Sequence, residues 1–471
     1  MTERLPRLAL AAFVVGLALH NLALSVLWDW GVRGTVLDVV AAWKEALLAL
    51  ALGIVLWRSR RLPLATLADR LALAYAAVVV VYAVLPQSWL GGEATTRGVL
   101  LGLRHALLPV AAYGLGRLLS LTWPQTRRLL DLAIATAVAV ALIGLVDAYL
   151  VPLQWWRDSG VPGWYREQLG LDYVGLSGLP ENWAYNTGDE QNPIRRLVST
   201  FLSPLASAYL LVVVLLLLAA RPRRPWVLAA AAVAYVGLLF THTRAAYLAL
   251  AGGLVVLALV TRRWWPVAAA AASIAVGLAF VSVYDQVGPS TSYTPQELEQ
   301  LRRNAAEHPG ASSDPLSGDE ASTASHLRNL RDGLETVFRH PQGYGLGNAG
   351  TVARRTGIAP KAGESTYTEL GVETGVAGML LFVAWSLAVL AALWQRTAWL
   401  TAAFAAVLAL ALQTDVLGVH WLAYCVWAAA GIALQLPAGR GDATVEAAAP
   451  APRRPARAAP AGSRAPGTSG S

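Results

Sequence analysis

The fold is decided by apolar runs such as LALAAFVVGLALHNLALSVLW at residues 8–28. A membrane span needs roughly 20 residues, because each helical residue advances about 1.5 Å through about 30 Å of hydrocarbon. The run follows Arg4 and Arg7, as the apolar part of a secretory signal would. However, no small-residue cleavage site follows it and more apolar runs come later. The pattern therefore predicts a retained first transmembrane helix.

The composition of the whole chain is that of a membrane protein. It is 56% hydrophobic and 14% charged, with a mean hydropathy of +0.49, whereas an ordinary soluble domain is about 25% charged. The single cysteine, Cys425, lies in the last apolar run, which excludes an intramolecular disulfide framework. The net charge of +8 comes from arginines clustered between apolar runs. That pattern is typical of membrane orientation, so we expect no nucleic-acid partner.

Hydropathy predicts an all-α polytopic membrane protein with about twelve transmembrane helices. The predicted spans lie near residues 8–28, 35–57, 67–85, 98–119, 131–151, 200–220, 226–241, 245–261, 266–283, 371–394, 398–412 and 417–436. Arginine-rich connections alternate with other connections along the chain. Because arginine-rich loops stay inside, we expect both termini in the cytoplasm.

Two long polar segments, residues 152–196 and 284–366, would then face outward together. The predicted organisation is a first group of nine spans within residues 1–283 and a large outer loop at 284–366 between helices nine and ten. Three spans follow within residues 367–436, and a Pro/Ala-rich tail at 437–471 is predicted to be disordered. The outer loop itself should be partly helical, over residues 296–307 and 325–339.

Charged residues inside two predicted spans need an explanation, because each costs roughly 3 kcal/mol on insertion scales. Lys44 and Glu45 lie near the middle of the second span, and Arg104 lies in the fourth, next to His105. One interpretation is a structural ion pair, such as Glu45 with Arg104. The other is a polar cavity that reaches down from the outer face and holds a headgroup.

Three arginines, Arg195, Arg196 and Arg244, lie at predicted outer helix ends, against the positive-inside trend. Arginines on rigid helix ends are suited to bind phosphate through bidentate, charge-assisted hydrogen bonds. The alternative is that they reach out to lipid phosphate at the membrane surface.

Four motifs in the same order resemble those of the O-antigen ligase and O-antigen polymerase superfamily, and the likeness covers most of residues 35–436. The first, RLVSTFLSP at 196–204, resembles Arg-x-x-Gly-Thr-Phe-x-Asn-Pro, and the second, TRAA at 243–246, resembles Ser-Arg-Gly/Ala. The third, HPQGYGLG at 340–347, resembles Pro-x-x-Gly-x-Gly-x-Gly. The fourth, ESTYTELGVETGVAG at 364–378, resembles a motif that opens a helix.

The resemblance implies a bacterial enzyme in the cytoplasmic (inner) membrane, with its active site facing outward. Its donor would be a glycan on undecaprenyl pyrophosphate, and its acceptor a hydroxyl on a glycan, lipid or protein. It implies neither a cofactor nor a metal. The family's outer arginines hold the pyrophosphate, and Arg196 and Arg244 occupy matching positions. The family's base is a histidine in the fourth motif, where this chain has Glu364. This departure leaves a ligase, a polymerase or another branch open.

Three residues are candidates for the general base. Glu364 could act if burial raised its pKa towards neutrality, or it could only cap the following helix. His340 precedes a proline and is either a loop residue or a catalyst, and His326 lies at the edge of an amphipathic face. The glycines of the third motif are expected to serve turns, because no strand-to-helix context surrounds them.

Two other classes of function stay open. A transporter or exporter of a lipid-linked sugar would suit charges such as Lys44, Glu45 and Arg104 within the membrane. No internal repeat supports it, and the polar residues gather at one outer face. A non-catalytic partner in a polysaccharide assembly complex is the third class.

Overall fold

The computed structural model describes residues 4–60, 62–171, 179, 183–185, 193–307 and 321–436. Within these ranges the chain is a bundle of helices with one small antiparallel ribbon, β1 (Ala184–Tyr185) and β2 (Ile194–Arg195). The tail at 437–471, for which disorder is predicted, lies outside the described residues.

Eight helical segments in the described ranges are long and apolar enough to cross a membrane. They are α1 (Arg4–Asp29), α2 with α3 (Gly34–Ala41 and Trp43–Ser59), α4 (Leu67–Val84), α6 (Thr96–Leu118), α7 (Trp123–Leu150), α12 (Arg244–Thr261), α13 (Trp265–Ser282) and α18 (Thr366–Trp394). Four shorter apolar helices accompany them: α10 (Pro204–Ala219), α11 (Pro225–Phe240), α19 (Ala398–Leu410) and Leu422–Ala433, which ends in α20 (Trp427–Ala433). The helical class is confirmed and these eight segments are candidate membrane spans, whereas the count of twelve spans and the cytoplasmic termini stay predictions.

The remaining elements are short connectors and two loop helices. The connectors are α5 (Gln87–Leu90), α8 (Leu153–Arg157), α9 (Val161–Gly163), the π-helix Trp164–Gln168, the 3-10 turn Ser199–Phe201, α14 (Tyr284–Val287) and α17 (Gly350–Arg355). The two helices predicted within the outer loop are confirmed as α15 (Pro295–Glu307) and α16 (Ala321–Arg339). Thr294 and Glu297 exchange hydrogen bonds of 3.2 and 2.7 Å at the start of α15, which fixes its first turn.

The second predicted span is not one continuous helix. It breaks at Ala42, whose ψ of 4° departs from helical geometry, and α3 begins at the next residue. Lys44 and Glu45 therefore lie in the first turn of α3, beside the break, and not in the middle of an unbroken helix. Lys44 Nζ donates a 2.9 Å hydrogen bond to the Ala41 carbonyl, which the break leaves without its helical donor.

The two long polar segments meet at one end of the bundle. Ile194 forms a β-bridge with Ser290, and the Tyr149 hydroxyl donates a 2.7 Å hydrogen bond to the Val287 carbonyl. An ion pair of 3.0 Å joins Arg157 to Glu297. The contacts thus agree with the predicted sharing of one face, and the outward orientation of that face stays a prediction.

Helix α18 breaks at Gly375, which has φ +68° and ψ 177°. The glycine-rich turn at 340–347 lies against this break. Its Tyr344 N–H donates 2.6 Å to the Val372 carbonyl, and the Val376 N–H donates 2.9 Å to the Pro341 carbonyl. Backbone groups freed by a break need such partners, because hydrocarbon offers none. The turn itself uses positive φ angles at its three glycines, which agrees with the predicted turn role.

A buried ion pair ties the ribbon to the end of α7. The Arg195 guanidinium, 2% exposed, donates to both carboxylate oxygens of Asp147 at 2.9 Å. Trp156 Nε1 donates to the same carboxylate at 2.7 Å, and Arg195 also donates to the backbone carbonyls of Asp147 and Val151. A buried ion pair is tolerated where each charge has its counter-ion and further hydrogen bonds, as the Asp147 carboxylate and the Arg195 guanidinium have here.

Removing one charge from this pair should destabilise the protein strongly. Asp147→Asn leaves the Arg195 charge buried without its counter-ion, which costs about 3–5 kcal/mol. The measurement is thermal unfolding in detergent. The matched control is Glu299→Gln, which breaks an exposed pair with Arg303 worth less than about 0.5 kcal/mol. Equal shifts of the two melting temperatures would contradict a structural role for the buried pair.

Candidate active site

Glu364 and His326, which the sequence suggested as separate candidates, form a hydrogen-bonded pair. His326 Nδ1 lies 2.7 Å from Glu364 Oε2, and the side chains are 34% and 37% exposed. An ionised carboxylate only accepts hydrogen bonds, so we assign the proton to Nδ1. The Nε2 atom then carries the free lone pair of the neutral ring, and the ring can accept a proton there.

The pair forms because α16 packs closely against the start of α18. Gly333 lies against Thr368, and Gly371 lies against Val337, so the missing side chains allow the helices to approach. The contacts advance in the same direction along both helices, which therefore run parallel. His326, two turns before Gly333, is thus carried to the beginning of α18.

Glu364 is directed at His326 and does not cap α18. Its backbone has φ +73°, a strained value for a residue with a side chain, and Ser365 is the N-cap residue. Burial alone would raise the pKa of Glu364, but hydrogen bonds from His326 and Asn329 outweigh it and hold the pKa below its usual range. The condition under which Glu364 itself could act as the base, a pKa raised by burial, is therefore not met. Glu364 is an anion at neutral pH and is suited to orient His326.

His340 has both ring nitrogens engaged. Its Nε2 donates a 2.9 Å hydrogen bond to the Leu90 carbonyl, and its Nδ1 accepts one of 3.2 Å from Gln342. The ring also stacks on Tyr344, with centroids 4.0 Å apart. This geometry favours the loop-residue interpretation, since the ring ties the glycine-rich turn to α5.

Arg196 is buried behind the turn between α11 and α12. Its Nε donates 2.8 Å to the Thr241 carbonyl, and its Nη2 donates 3.0 Å to Thr243 Oγ1. Arg244 is the first residue of α12, at the end of the same turn. The two arginines are therefore brought to one turn by separate parts of the chain.

His242 lies in that turn and carries no charge at neutral pH. Burial, followed by the positive charges of Arg196 and Arg244, lowers the pKa of His242 to about 3. Its ring stacks on Tyr284, with centroids 4.6 Å apart. The turn therefore places two cationic groups around a neutral ring. The positive potential that they create is suited to binding an anion.

Arg195 does not share this arrangement. Its guanidinium is occupied by Asp147, as described above, although the sequence suggested it as a third pyrophosphate ligand. Neighbouring residues on an extended strand point to opposite faces, so Arg195 and Arg196 reach different partners. We therefore assign Arg195 to the structure and not to binding.

Lys44, Glu45 and Arg104 form one charged cluster. Glu45 Oε1 lies 3.4 Å from both Lys44 Nζ and Arg104 Nη1, and Lys44 is 3% exposed. Lys44 Nζ also lies 3.1 Å from His20 Nε2. The Glu45–Arg104 ion pair is therefore present.

Arg355 of α17 adds positive charge to the same region. Burial, then the charges of Arg104 and Arg97, lower the pKa of Arg355 to about 10. It remains charged at neutral pH. Cations thus outnumber Glu45 in the region around Arg104, which is compatible with the predicted polar cavity.

Two acidic residues were missed as site candidates. The ligand atoms of His105, Glu369 and Asp415 lie within 4.8 Å of one another, a spacing at which they could hold a metal ion. The signal in the sequence was acidic residues inside or between apolar runs. Asp415 lies in the short break between the last two predicted spans, and Glu369 lies in the fourth motif.

These observations define a helical protein with candidate membrane-spanning helices and three separate groups of polar side chains. The groups are His326 with Glu364, Arg196 with Arg244 at one turn, and Lys44 and Arg104 with Glu45. Residues 229–383 match the family model described as O-antigen ligase. The match confirms the resemblance to the O-antigen ligase superfamily, and the matched segment contains Arg244, His326 and Glu364. No curated protein matches the chain. The family and the apolar helices together point to a bacterial membrane protein with an O-antigen ligase-like function.

The contact between α16 and α18 should weaken in acid. A lowered pKa means that Glu364 stabilises the fold fully above the unfolded value of about 4.3, and that this contribution is lost as the pH falls through the lower folded value. Hydrogen-exchange protection factors for residues 325–339 should therefore be level between neutral pH and about 5 and then decrease. Glu364→Gln should lack this acid step. The same step in both proteins would contradict the assignment.

Proposed function

We propose that this chain is a glycosyltransferase that moves a glycan from undecaprenyl pyrophosphate to an acceptor hydroxyl on the outer face of the bacterial cytoplasmic membrane. The acceptor is a growing glycan, a lipid or a protein, in the synthesis of cell-envelope polysaccharide. The observation that carries the proposal is the hydrogen bond of 2.7 Å between His326 and Glu364, within the segment that matches the O-antigen ligase family.

In this proposal His326 is the general base. The acceptor hydroxyl gives its proton to Nε2 while its oxygen forms a bond to the anomeric carbon of the donor sugar. The bond from that carbon to the pyrophosphate oxygen breaks, and undecaprenyl pyrophosphate leaves. Glu364 stabilises the protonated ring and holds its orientation, as a carboxylate does for a catalytic histidine in other enzymes. The chain thereby supplies from α16 the histidine that its fourth motif lacks.

Arg196 and Arg244 are proposed to bind the pyrophosphate. Negative charge grows on the leaving group during transfer, and preorganised cations in a water-poor site are usually the largest source of stabilisation. The hydrogen bonds from Arg196 to Thr241 and Thr243 support this role, because they preset the side chain. The region of Lys44, Glu45, Arg104 and Arg355 is proposed to line the polar cavity beside the outer loop.

The two alternative classes make different demands on these residues. A carrier of lipid-linked sugar needs charged side chains to bind its cargo but no base. A non-catalytic partner in an assembly complex needs neither cargo-binding charges nor a base. The pairing of His326 with an ionised Glu364 favours the enzyme, because it gives the ring one proton-accepting nitrogen.

Loss of the base should lower the rate of transfer with little effect on donor binding. His326→Ala is expected to reduce turnover about 10²–10⁴-fold, the usual contribution of a general base, and Glu364→Gln by a smaller factor. Transfer is measured in proteoliposomes with an undecaprenyl-pyrophosphate oligosaccharide pool. Glu335→Gln, a change in an exposed pair on the same helix, is the matched control and should transfer normally. Normal turnover in His326→Ala would contradict the assignment of His326 as the general base.

Loss of the pyrophosphate ligands should reduce transfer regardless of the acceptor. Arg196→Ala and Arg244→Ala are each expected to lose roughly 10²–10³-fold in turnover. Arg303→Ala, an exposed arginine of α15, is the control and should have no effect. Products of increasing length would indicate a polymerase, and a single addition would indicate a ligase. Retained activity in both variants, with unchanged folding, would exclude the proposed ligands.

A further inference from the structure

A cluster of the buried Glu369 with the partly exposed His105 and Asp415 has no part in the proposed transfer. His105 Nε2 lies 3.2 Å from Asp415 Oδ1, and one ligand atom of each residue lies within 4.8 Å of the other two. The residues come from α6, from the first turn of α18 and from the connection after α19. Three separate parts of the chain thus direct polar atoms at one point.

The backbone holds Asp415 in place. The N–H groups of Leu417 and Gly418 both donate to its Oδ1, at 3.1 and 3.0 Å. The connection is also fastened to α18, because Thr366 Oγ1 donates to the Thr414 carbonyl and accepts from the Val416 N–H. Asp415 is therefore fixed relative to Glu369, as supporting hydrogen bonds fix metal-binding side chains.

Glu369 gives an independent observation. It is 7% exposed, and its carboxylate points to His105 and Asp415. Burial and the neighbouring carboxylates of Asp415 and Glu373 disfavour its negative charge, and the backbone N–H of Glu364 and the charge of Arg354 offset this in part. A buried carboxylate beside other carboxylates costs several kcal/mol unless its charge is neutralised, so a further positive partner is favoured at this point.

The charges around the cluster also favour a bound cation. Glu373, one turn after Glu369, is a second buried carboxylate and accepts a 2.8 Å hydrogen bond from the Gly347 N–H. Against these acids stand the charge of Arg354 and His105, which pairs with Asp415 at 3.2 Å. The neighbouring Arg104 already pairs with Glu45 at 3.4 Å. Carboxylates are therefore in excess, and a divalent cation would neutralise that excess.

We propose that His105, Glu369 and Asp415 hold a divalent metal ion. A set of one imidazole and two carboxylates suits Mn²⁺ or Zn²⁺, because imidazole binds transition metals and carboxylates bind the harder ions. The ion would join α6, α18 and the connection after α19. The site was not expected, since the family resemblance implies no metal. The proposed metal site rests on this cluster alone, so a failure to bind metal would not contradict the proposed transfer function.

The test measures binding of Mn²⁺ and Zn²⁺ to the full-length protein in detergent, after removal of metal by a chelator. Wild type should bind about one equivalent and unfold several degrees higher with the metal than without it, because a ligand that binds only the folded state stabilises that state. Asp415→Asn and Glu369→Gln should lose both effects. Asp131→Asn removes a carboxylate that pairs with Arg221 elsewhere in the bundle, and it should keep them.

A second measurement needs no variant. Pulsed paramagnetic resonance of Mn²⁺ bound to wild type should show coupling to one imidazole nitrogen, the signature of His105. Binding of less than about a tenth of an equivalent to wild type would overturn the site. Bound Mn²⁺ without nitrogen coupling, or equal binding by wild type and Asp415→Asn, would overturn it as well.

Discussion

The break of α18 at Gly375 is the constraint on which the rest of this structure depends. A helix that breaks near the membrane exposes backbone groups that lipid cannot satisfy. Here they pair with Pro341 and Tyr344 of the glycine-rich turn, at 2.9 and 2.6 Å. The turn is thereby fixed to the bundle, and its Gly347 N–H reaches Glu373. The outer loop is thus held against the helices at this point, where a catalytic site needs rigid support.

Charge pairing explains where chemistry can occur. Arg117 pairs with Asp69 at 2.7 Å, and Arg195 pairs with Asp147, so these charges are satisfied within the protein. Around Arg104 and around Asp415 the balance is uneven, with cations in excess at the first and carboxylates at the second. Unbalanced charge is costly in a bundle of this kind, and it is retained where a ligand of opposite sign completes it. The proposed polar cavity and the proposed metal site follow from the same argument.

Hydropathy alone was enough for the helical membrane class, because apolar runs of this length have few alternatives. The helices of the outer loop were also predictable, since α15 starts at a threonine followed by proline and α16 has apolar residues at helical spacing. The break at Ala42 was not predictable, because alanine favours helix and no local residue signals the change. The sequence also gave no means to separate Arg195 from Arg196, whose different roles depend on which side of a short strand each one faces.

The candidate site was predicted residue by residue but not as an arrangement. His326 and Glu364 were each predicted as candidates. Their contact, however, depends on how α16 packs against α18, and no spacing in the chain encodes that packing. Asp415 belongs to none of the four motifs and became a candidate only through its distance from His105. Long-range packing, and not local pattern, therefore determines which of the charged residues act together.

The most direct test of the account moves the histidine of the catalytic pair from α16 to the fourth motif. Glu364→His combined with His326→Gln restores a histidine to the motif position where ligases have one. Transfer by the double variant is compared with transfer by His326→Gln alone, in the same proteoliposomes. The account predicts that the single variant loses about 10²–10⁴-fold in turnover, as for any loss of the base, and that the double variant regains part of this loss. Full transfer by His326→Gln alone would contradict the claim that α16 supplies the base.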